Sequence, residues 1–180
     1  MNLWHDISLG DKVPETINVI IEVSKGSSNK YEIDKESGLI RLDRANYSAA
    51  PYPIEYGFAP QTYWEDGDAL DVIVLATFPV PSGILVNMRP VALMEMTDAG
   101  DPDSKIIGVP VKDKRWDDVQ DLKDINKHTL KEIQHFFETY KHLKGDKVVV
   151  HGFKPKKDAL AAIEHAIKLY KDKFGKAQKK

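Results

Sequence analysis

The chain of 180 residues contains no cysteine, and long apolar runs are also missing. Without cysteine it can form no disulfide, no thiolate metal site and no cysteine nucleophile. No apolar run approaches the ~20 residues that a membrane-spanning helix needs. The first residues, which include Asp6 and Asp11, lack the apolar segment of a signal peptide. We therefore expect a cytoplasmic protein with no membrane partner.

Charge of one sign is not in excess either. The 26 basic and 28 acidic side chains give a formal net charge of -2, so no global attraction to nucleic acid or to an anionic membrane is expected. Hydrophobic residues make up 42% of the chain, and no internal repeat or linker divides it. The sequence therefore predicts a single domain over residues 1–180.

Hydrophobic patterning predicts short strands followed by two helices. The strands are expected at residues 17–23, 30–33, 40–44, 71–77, 84–96 with an interruption at Pro90, 106–111 and 147–153. A capping-box pattern at 129–132 predicts the start of the first helix, Gly145 its end, and Pro155 the start of the second. We expect an α+β fold, mainly β, with a closed β core and the helices packed outside it.

The most informative feature is a cluster of acidic residues in the middle of the chain. Asp66, Asp68 and Asp71 lie within six residues and lead directly into the apolar segment 72–75. Like charges this close repel one another, and partial burial adds to the cost, whereas hard divalent cations with oxygen ligands remove both penalties. An acidic surface turn is the plain alternative. A calcium loop is another, although the later bidentate glutamate of an EF-hand is missing.

A second acidic loop follows at residues 97–104. It contains Asp98, Asp101 and Asp103 and is followed at once by Lys105. Two acidic loops with a lysine beside the second suggest metal ions that share an anionic ligand, as in the two-metal sites of phosphoryl chemistry. The sequence therefore indicates a metal site with more than one ion.

Basic residues upstream could hold such an anion. Lys30 and Glu32 share one face of a predicted strand, whereas Arg41 and Arg44 are three residues apart and are expected on opposite faces. Arginine suits phosphate because its planar fork presents several donors. Taken alone, each of these charges is better explained as a solvated strand residue.

Tyrosines add further polar groups that could bind an anion. Segment 51–60 is rich in proline and aromatic residues and reads as a rigid connection that packs its rings on the core. Tyrosine hydroxyls in it, or the hydroxyl of Tyr140 beside Lys141, could instead hydrogen-bond phosphate. The six histidines show no metal-ligand spacing.

Taken in order, these motifs closely resemble the family I soluble inorganic pyrophosphatases of prokaryotic type, over residues 17–144. The most specific element is DGDALDV at 66–72. Around it stand Glu22, KYEID at 30–34, LDR at 42–44, YPIEYGFAP at 52–60, MTD at 96–98, Asp103 with Lys105, and FFETYK at 136–141. Two positions depart from the family pattern. Ala69 stands where the signature usually has proline, and Ala99 where many bacterial members have glutamate.

The resemblance implies a five-stranded OB-like closed barrel with two flanking C-terminal helices. It implies hydrolysis of inorganic pyrophosphate to two orthophosphates by attack of a Mg²⁺-activated water, with several Mg²⁺ ions in each active site. By analogy with prokaryotic relatives of this size, it also implies a homohexamer.

Residue by residue, the resemblance makes Asp68 the general base beside the attacking water. The implied metal ligands are Asp66, Asp71, Asp98, Asp103 and Glu32. The implied substrate-binding residues are Lys30, Arg44, Tyr56, Lys105, Tyr140 and Lys141, with Glu22 and Tyr52 in support.

Two non-catalytic alternatives remain at this point. An OB-like module could bind single-stranded nucleic acid through a basic, aromatic groove, but aspartates in the cleft would repel a phosphate backbone. A calcium-binding domain is disfavoured by the surrounding lysine, arginine and tyrosine side chains.

Overall fold

The computed structural model describes residues 1–175. Strands in this range are β1 (Ile17–Val23), β2 (Asn29–Ile33), β3 (Ile40–Ala45), β4 (Glu55–Phe58), β5 (Asp71–Val74), β6 (Leu85–Asp98), β7 (Asp101–Pro102), β8 (Lys105–Pro110) and β9 (Val148–Pro155). The α-helices are α1 (Lys127–Thr139) and α2 (Lys156–Phe174). The prediction of one domain over 1–180 extends beyond the described range and stays a prediction.

Five strands close into a ring. β1, β4, β5, β8 and β6 are hydrogen-bonded in that order, and β6 pairs back with β1. All of these pairs are antiparallel except β5 with β8, which is parallel. β7 and β9 extend from β6, while β2 and β3 form a separate hairpin. The predicted mainly-β, five-stranded core with two later helices is confirmed.

The ring strands bury side chains on both faces, so the hydrophobic core lies on both sides of the strands. In β5, Val72 and Val74 belong to a cluster that includes Ile163 of α2. Ile73, between them, belongs to a second cluster that includes Phe137 of α1. Successive strand residues point to opposite faces, so the two helices cover different sides of the ring. Among the described helices, none has the length and apolarity needed to cross a membrane.

Strand β4 corrects the prediction that segment 51–60 is only a rigid connection. All of its residues are buried, so it lacks the polar alternation that marks a half-buried strand. Gly57 is needed there for space, because a Cβ would lie 2.0 Å from the carbonyl oxygen of Ile20 on β1. The close approach of β1 and β4 therefore depends on glycine rather than on strand propensity.

Strand β6 corrects the expected interruption at Pro90. It runs without a break from Leu85 to Asp98 and accommodates the proline at a bulge, where Val91 has no partner on β8. Proline lacks an amide hydrogen, so a bulge is one of the few places inside a sheet that tolerates it. The strand also extends to Asp98, two residues further than predicted.

Helix α1 corrects the predicted helix ends. Its N-cap is Asn126, whose Oδ1 accepts hydrogen bonds from the amides of His128 and Thr129, so Thr129 is not the cap. The helix ends at Thr139. Gly145, with φ of 92°, instead ends a short 3-10 turn at His142–Lys144.

Candidate active site

A cleft of about 580 Å³ is lined by side chains from the β2–β3 hairpin, the acidic loops and the end of α1. It brings together all but two of the site residues that the family resemblance implies. Those that line it are Glu22, Lys30, Glu32, Arg44, Tyr56, Asp66, Asp68, Asp71, Asp98, Asp103, Tyr140 and Lys141. The exceptions, Lys105 and Tyr52, lie beneath it.

The first acidic loop is held by its own backbone and by a buried hydroxyl. The Asp66 carboxylate accepts a hydrogen bond from the amide of Asp68 at 3.0 Å, and Gly67 between them has φ of 95°. Thr62 is fully buried: its Oγ1 donates to the carbonyl oxygen of Ala59 at 2.6 Å and accepts from the amide of Leu70 at 2.9 Å. The turn therefore aims Asp66, Asp68 and Asp71 into one cleft.

The second acidic loop is a tight hairpin rather than the loop predicted for 97–104. Ala99 and Gly100 have φ of 51° and 98°, and they connect Asp98 to its strand partner Asp101. Positive φ at both central residues is typical of the two-residue turns that join twisted strands. Asp98 and Asp103 line the cleft.

Lys105 forms the centre of a buried polar cluster at the floor. Its ammonium donates to Asp71 at 2.6 Å, to Asp103 at 2.7 Å and to the hydroxyl of Tyr56 at 3.1 Å. The side chain is only 1% exposed, so all three of its donors are satisfied inside the protein. Tyr56 in turn donates its hydroxyl to Asp71.

The two carboxylates that share Lys105 differ in pKa. Burial raises the pKa of Asp103 to about 6, although the Lys105 ammonium opposes the shift. Burial acts on Asp71 in the same direction, but Lys105 and the hydroxyl of Tyr56 outweigh it and hold the pKa of Asp71 below its usual value. Asp71 receives one more hydrogen bond than Asp103, and the negative charge of Asp71 in turn raises the pKa of Asp103.

Other carboxylates of the cleft repel one another. Burial raises the pKa of Asp66, and the charges of Asp71 and Asp68 add to the shift. Glu22, 5% exposed, has its pKa raised to about 8 by burial and by the charge of Asp71. Its Oε1 accepts from the amide of Ile33 at 2.7 Å, so Glu22 also anchors the hairpin to β1.

Tyr52 and the end of α1 complete the surroundings. Tyr52 is 1% exposed and packs on Phe136 at 4.7 Å and Tyr56 at 5.9 Å between ring centroids, behind the cleft surface. Tyr140 caps α1, and the next residue, Lys141, forms an ion pair with Asp98. The helix end therefore places a cation against the second acidic loop.

The hairpin wall corrects the prediction that Arg41 and Arg44 face opposite sides. Lys30 is opposite Arg44 and Tyr31 is opposite Leu42, so Asp43 is an extra residue on β3. A bulge of one residue reverses the side-chain alternation beyond it. Arg41 and Arg44 both line the cleft as a result.

Divalent cations fit the chemistry of these donors. In the part of the chain that the structure describes, no three carboxylates or imidazoles already form a metal-binding group. The Lys105 ammonium pairs with both Asp71 and Asp103. The acidic groups nevertheless present only oxygen donors, and burial, together with the charges of neighbouring aspartates, raises the pKa of Asp66 and of Asp103. A hard cation would relieve that repulsion.

The cleft beside the closed five-stranded ring brings carboxylates together with lysine and arginine side chains. This arrangement defines a class of protein suited to phosphoryl chemistry. The particular family follows from sequence comparison. The Inorganic pyrophosphatase family profile matches residues 19–171, and the chain belongs to this family.

Individual relatives agree with this placement over almost the whole chain. An inorganic pyrophosphatase of Haloferax volcanii is 47% identical over 97% of this chain and 99% of its own length. Soluble inorganic pyrophosphatase 1 of Arabidopsis thaliana is 43% identical over 93% of this chain and 79% of its own. The crystal structure of an inorganic pyrophosphatase from Thermus thermophilus superposes with a TM-score of 0.92 at 46% identity, covering 95% of this chain and 99% of that one. The expected OB-like fold of this family is thus confirmed.

Two residues of the site were missed or misplaced by sequence reasoning. Thr62 carries no motif, and its role depends on burial and on Leu70, eight residues away. Arg41 was placed on the wrong face because the bulge depends on the pairing register of β2 and β3. No local pattern in the sequence signals either feature.

Proposed function

We propose that this protein hydrolyses inorganic pyrophosphate to two orthophosphates and that the cleft is its active site. The observation that carries the proposal is the meeting of both acidic loops with the cations of the hairpin and of α1 in one cleft. Family membership supports the reaction. Pyrophosphate with bound divalent cations matches this distribution of charge. Its phosphates are complementary to the lysine and arginine side chains, and its cations are complementary to the carboxylates.

The positive side chains bind the phosphate groups in this proposal. Lys30 and Arg44 face each other across the hairpin, and Lys141 lies at the end of α1. Tyr56 and Tyr140 add hydroxyls. Lys105, whose three donors are taken by Asp71, Asp103 and Tyr56, adds its positive charge from beneath the floor. Because these groups sit on strands, on a helix end and in a packed core, they hold the substrate in place with little reorganisation.

Asp68 is the proposed general base. Its side chain is 55% exposed and lines the cleft, so a water molecule can reach it, and it forms an ion pair with Lys35. The carboxylate of the neighbouring Asp66 accepts a hydrogen bond from the amide of Asp68, which fixes the backbone of Asp68. Asp68 therefore takes the proton of the attacking water at a carboxylate oxygen held in position by the loop.

Mg²⁺ is the proposed cofactor, with several ions in each site. Asp66, Asp71, Asp98, Asp103 and Glu32 are the carboxylates that would hold them. Bound cations would lower the pKa of a water and offset negative charge on the phosphates. Glu22 supports the hairpin through its hydrogen bond from the Ile33 amide, and Tyr52 supports Tyr56 by packing against its ring.

The test is release of phosphate from pyrophosphate by the purified full-length protein. Fast release with Mg²⁺ that excess chelator abolishes and added Mg²⁺ restores is the expected result. Circular dichroism on the same samples reports whether the protein stays folded. No release with Mg²⁺, Mn²⁺ or Zn²⁺ from folded protein would overturn the proposal.

A cytoplasmic homohexamer is the proposed state of the enzyme. Large exposed apolar side chains such as Phe78, Ile84 and Leu85 support an assembly, because surfaces of this kind are often covered by another chain. Light scattering after size-exclusion chromatography measures the mass directly. A monomer at micromolar concentration would refute the hexamer and leave the reaction untouched.

A further inference from the structure

Arg41 is a residue of the cleft that the proposed function does not use. Along the hairpin, the pair of Lys30 and Arg44 is followed by the pair of Glu32 and Arg41. Two residues of strand cover roughly 7 Å, so Arg41 lies about that much farther toward the hairpin tip than Arg44. The bulge at Asp43 keeps both arginines on the cleft side.

The guanidinium of Arg41 is weakly engaged. Its nearest carboxylate oxygen, on Asp34, lies 3.6 Å from Nη1, beyond the distance of about 2.7–3.2 Å of a hydrogen bond. Asp34 is already bonded to Ser37, through the amide at 2.9 Å and the hydroxyl at 2.6 Å. Within residues 1–175, the Arg41 side chain donates no hydrogen bond.

The other cations of the cleft are engaged more closely. Lys30 and Arg44 donate to Glu32 and Asp43, respectively. Lys141 and Lys35 pair with aspartates of the two acidic loops. Arg41 thus combines a position in the cleft with donors left available for an anion, and its side chain is 61% exposed.

We propose that Arg41 forms an outer anion subsite that contacts a third phosphate group, so that the cleft also binds linear inorganic triphosphate. The inference rests on the proposed function, because the inner two phosphates are the ones assigned to Lys30, Arg44 and their neighbours. The arginine fork can bind a terminal phosphate through two parallel hydrogen bonds. The extra phosphate would lie along the hairpin, past Arg44 and toward the tip.

The test measures binding rather than turnover. Calorimetric titrations with pyrophosphate and with inorganic tripolyphosphate, both with Mg²⁺, are made in the Asp68→Asn background, in which we expect hydrolysis to be slow. Arg41→Gln is compared with Arg115→Gln as the matched control. Arg115 is similarly exposed at 65%, lies 3.3 Å from Asp113 and is not among the residues that line the cleft.

The expected result is a loss of about tenfold in the affinity for tripolyphosphate relative to pyrophosphate in Arg41→Gln, the size of one charge-assisted hydrogen-bonded contact. Arg115→Gln should keep the ratio of the parent. An equal loss for both ligands, no loss for either, or no binding of tripolyphosphate by the parent would each overturn the proposal.

A nucleoside triphosphate shares the third phosphate and is titrated separately. A loss of affinity in Arg41→Gln for tripolyphosphate alone, or for both tripolyphosphate and the nucleotide, supports the subsite. The comparison also identifies which of the two ligands the subsite accepts. Dependence for the nucleotide alone overturns the inorganic assignment. Failure of the wild-type protein to hydrolyse pyrophosphate would remove the proposed reaction, while the ratio of affinities would still report on Arg41.

Discussion

The cleft floor and a partly buried aromatic cluster that includes Trp4 are two regions built in opposite ways. At the floor, Lys105 is surrounded by carboxylates and a hydroxyl. The aromatic cluster consists of Trp4, His5, Tyr63, Tyr170 and Phe174, whose rings pack at centroid distances between 4.7 and 6.4 Å.

The difference shows where this chain concentrates function and where it concentrates stability. Removing one partner from the floor leaves a buried charge uncompensated, whereas removing one polar atom from the aromatic cluster leaves most of the packing intact. Variants in the two regions should therefore differ in size of effect and in which property they change.

Replacement of Lys105 should have the largest effect. Lys105→Met leaves Asp71 and Asp103 buried without their shared cation, which should lower the free energy of unfolding by about 3–5 kcal/mol. Urea denaturation of the metal-free protein measures this. Lys114→Met removes an exposed lysine, 85% accessible and paired with Asp117, and should change stability little. A loss below about 1 kcal/mol in the Lys105 variant would show that the floor does not depend on its charge balance.

Replacement of Asp68 should have the second-largest effect, and this effect should be on the catalytic rate rather than on stability. Asp68→Asn keeps the shape of the side chain but removes the base, so kcat should fall at least ~100-fold while pyrophosphate binding stays close to normal. Steady-state phosphate release and calorimetry separate the two quantities. Asp172→Asn, an exposed aspartate on α2, is the control and should keep the parent rate. Near-normal turnover in Asp68→Asn would exclude Asp68 as the base.

Replacement of Tyr170 should have the smallest effect. Tyr170→Phe removes the hydroxyl that lies 2.7 Å from Nδ1 of His5 and should lower the free energy of unfolding by about 1 kcal/mol. Turnover should be unchanged. A double-mutant cycle with His5→Gln isolates the contribution of this pair. A drop in kcat at unchanged stability would contradict the separation of the two regions.

Much of the site could be predicted from the sequence because its acidic residues are local. The spacing of Asp66, Asp68 and Asp71 within one short loop indicated a shared metal site beside the alternative of an acidic surface turn, and the second acidic loop favoured the metal site. The hairpin of β2 and β3 was predicted from its alternation, and Lys30 and Glu32 do form an ion pair on one face. These features depend on a few adjacent residues.

The missed features depend on partners distant in the sequence. Strand β4 is buried on both sides and shows no alternation, and the ammonium of Lys105 donates to the hydroxyl of Tyr56, 49 residues away. The cap of α1 was misplaced because Asn126 and Thr129 are both plausible caps and only the backbone chooses between them. Local pattern alone cannot rank such alternatives.

The bulge at Asp43 has a consequence for how this hairpin tolerates changes in length and pairing register. The cleft side of β3 is determined by the number of residues between Arg41 and Arg44 as much as by their identity. Deleting Asp43 would leave the two arginines two residues apart, so regular pairing with β2 would keep both on the cleft side. At the present length, by contrast, loss of the bulge would turn one of them out of the cleft. In this hairpin the extra residue and the bulge compensate for each other, and a change in pairing register alone would change the charge of the cleft wall without any substitution.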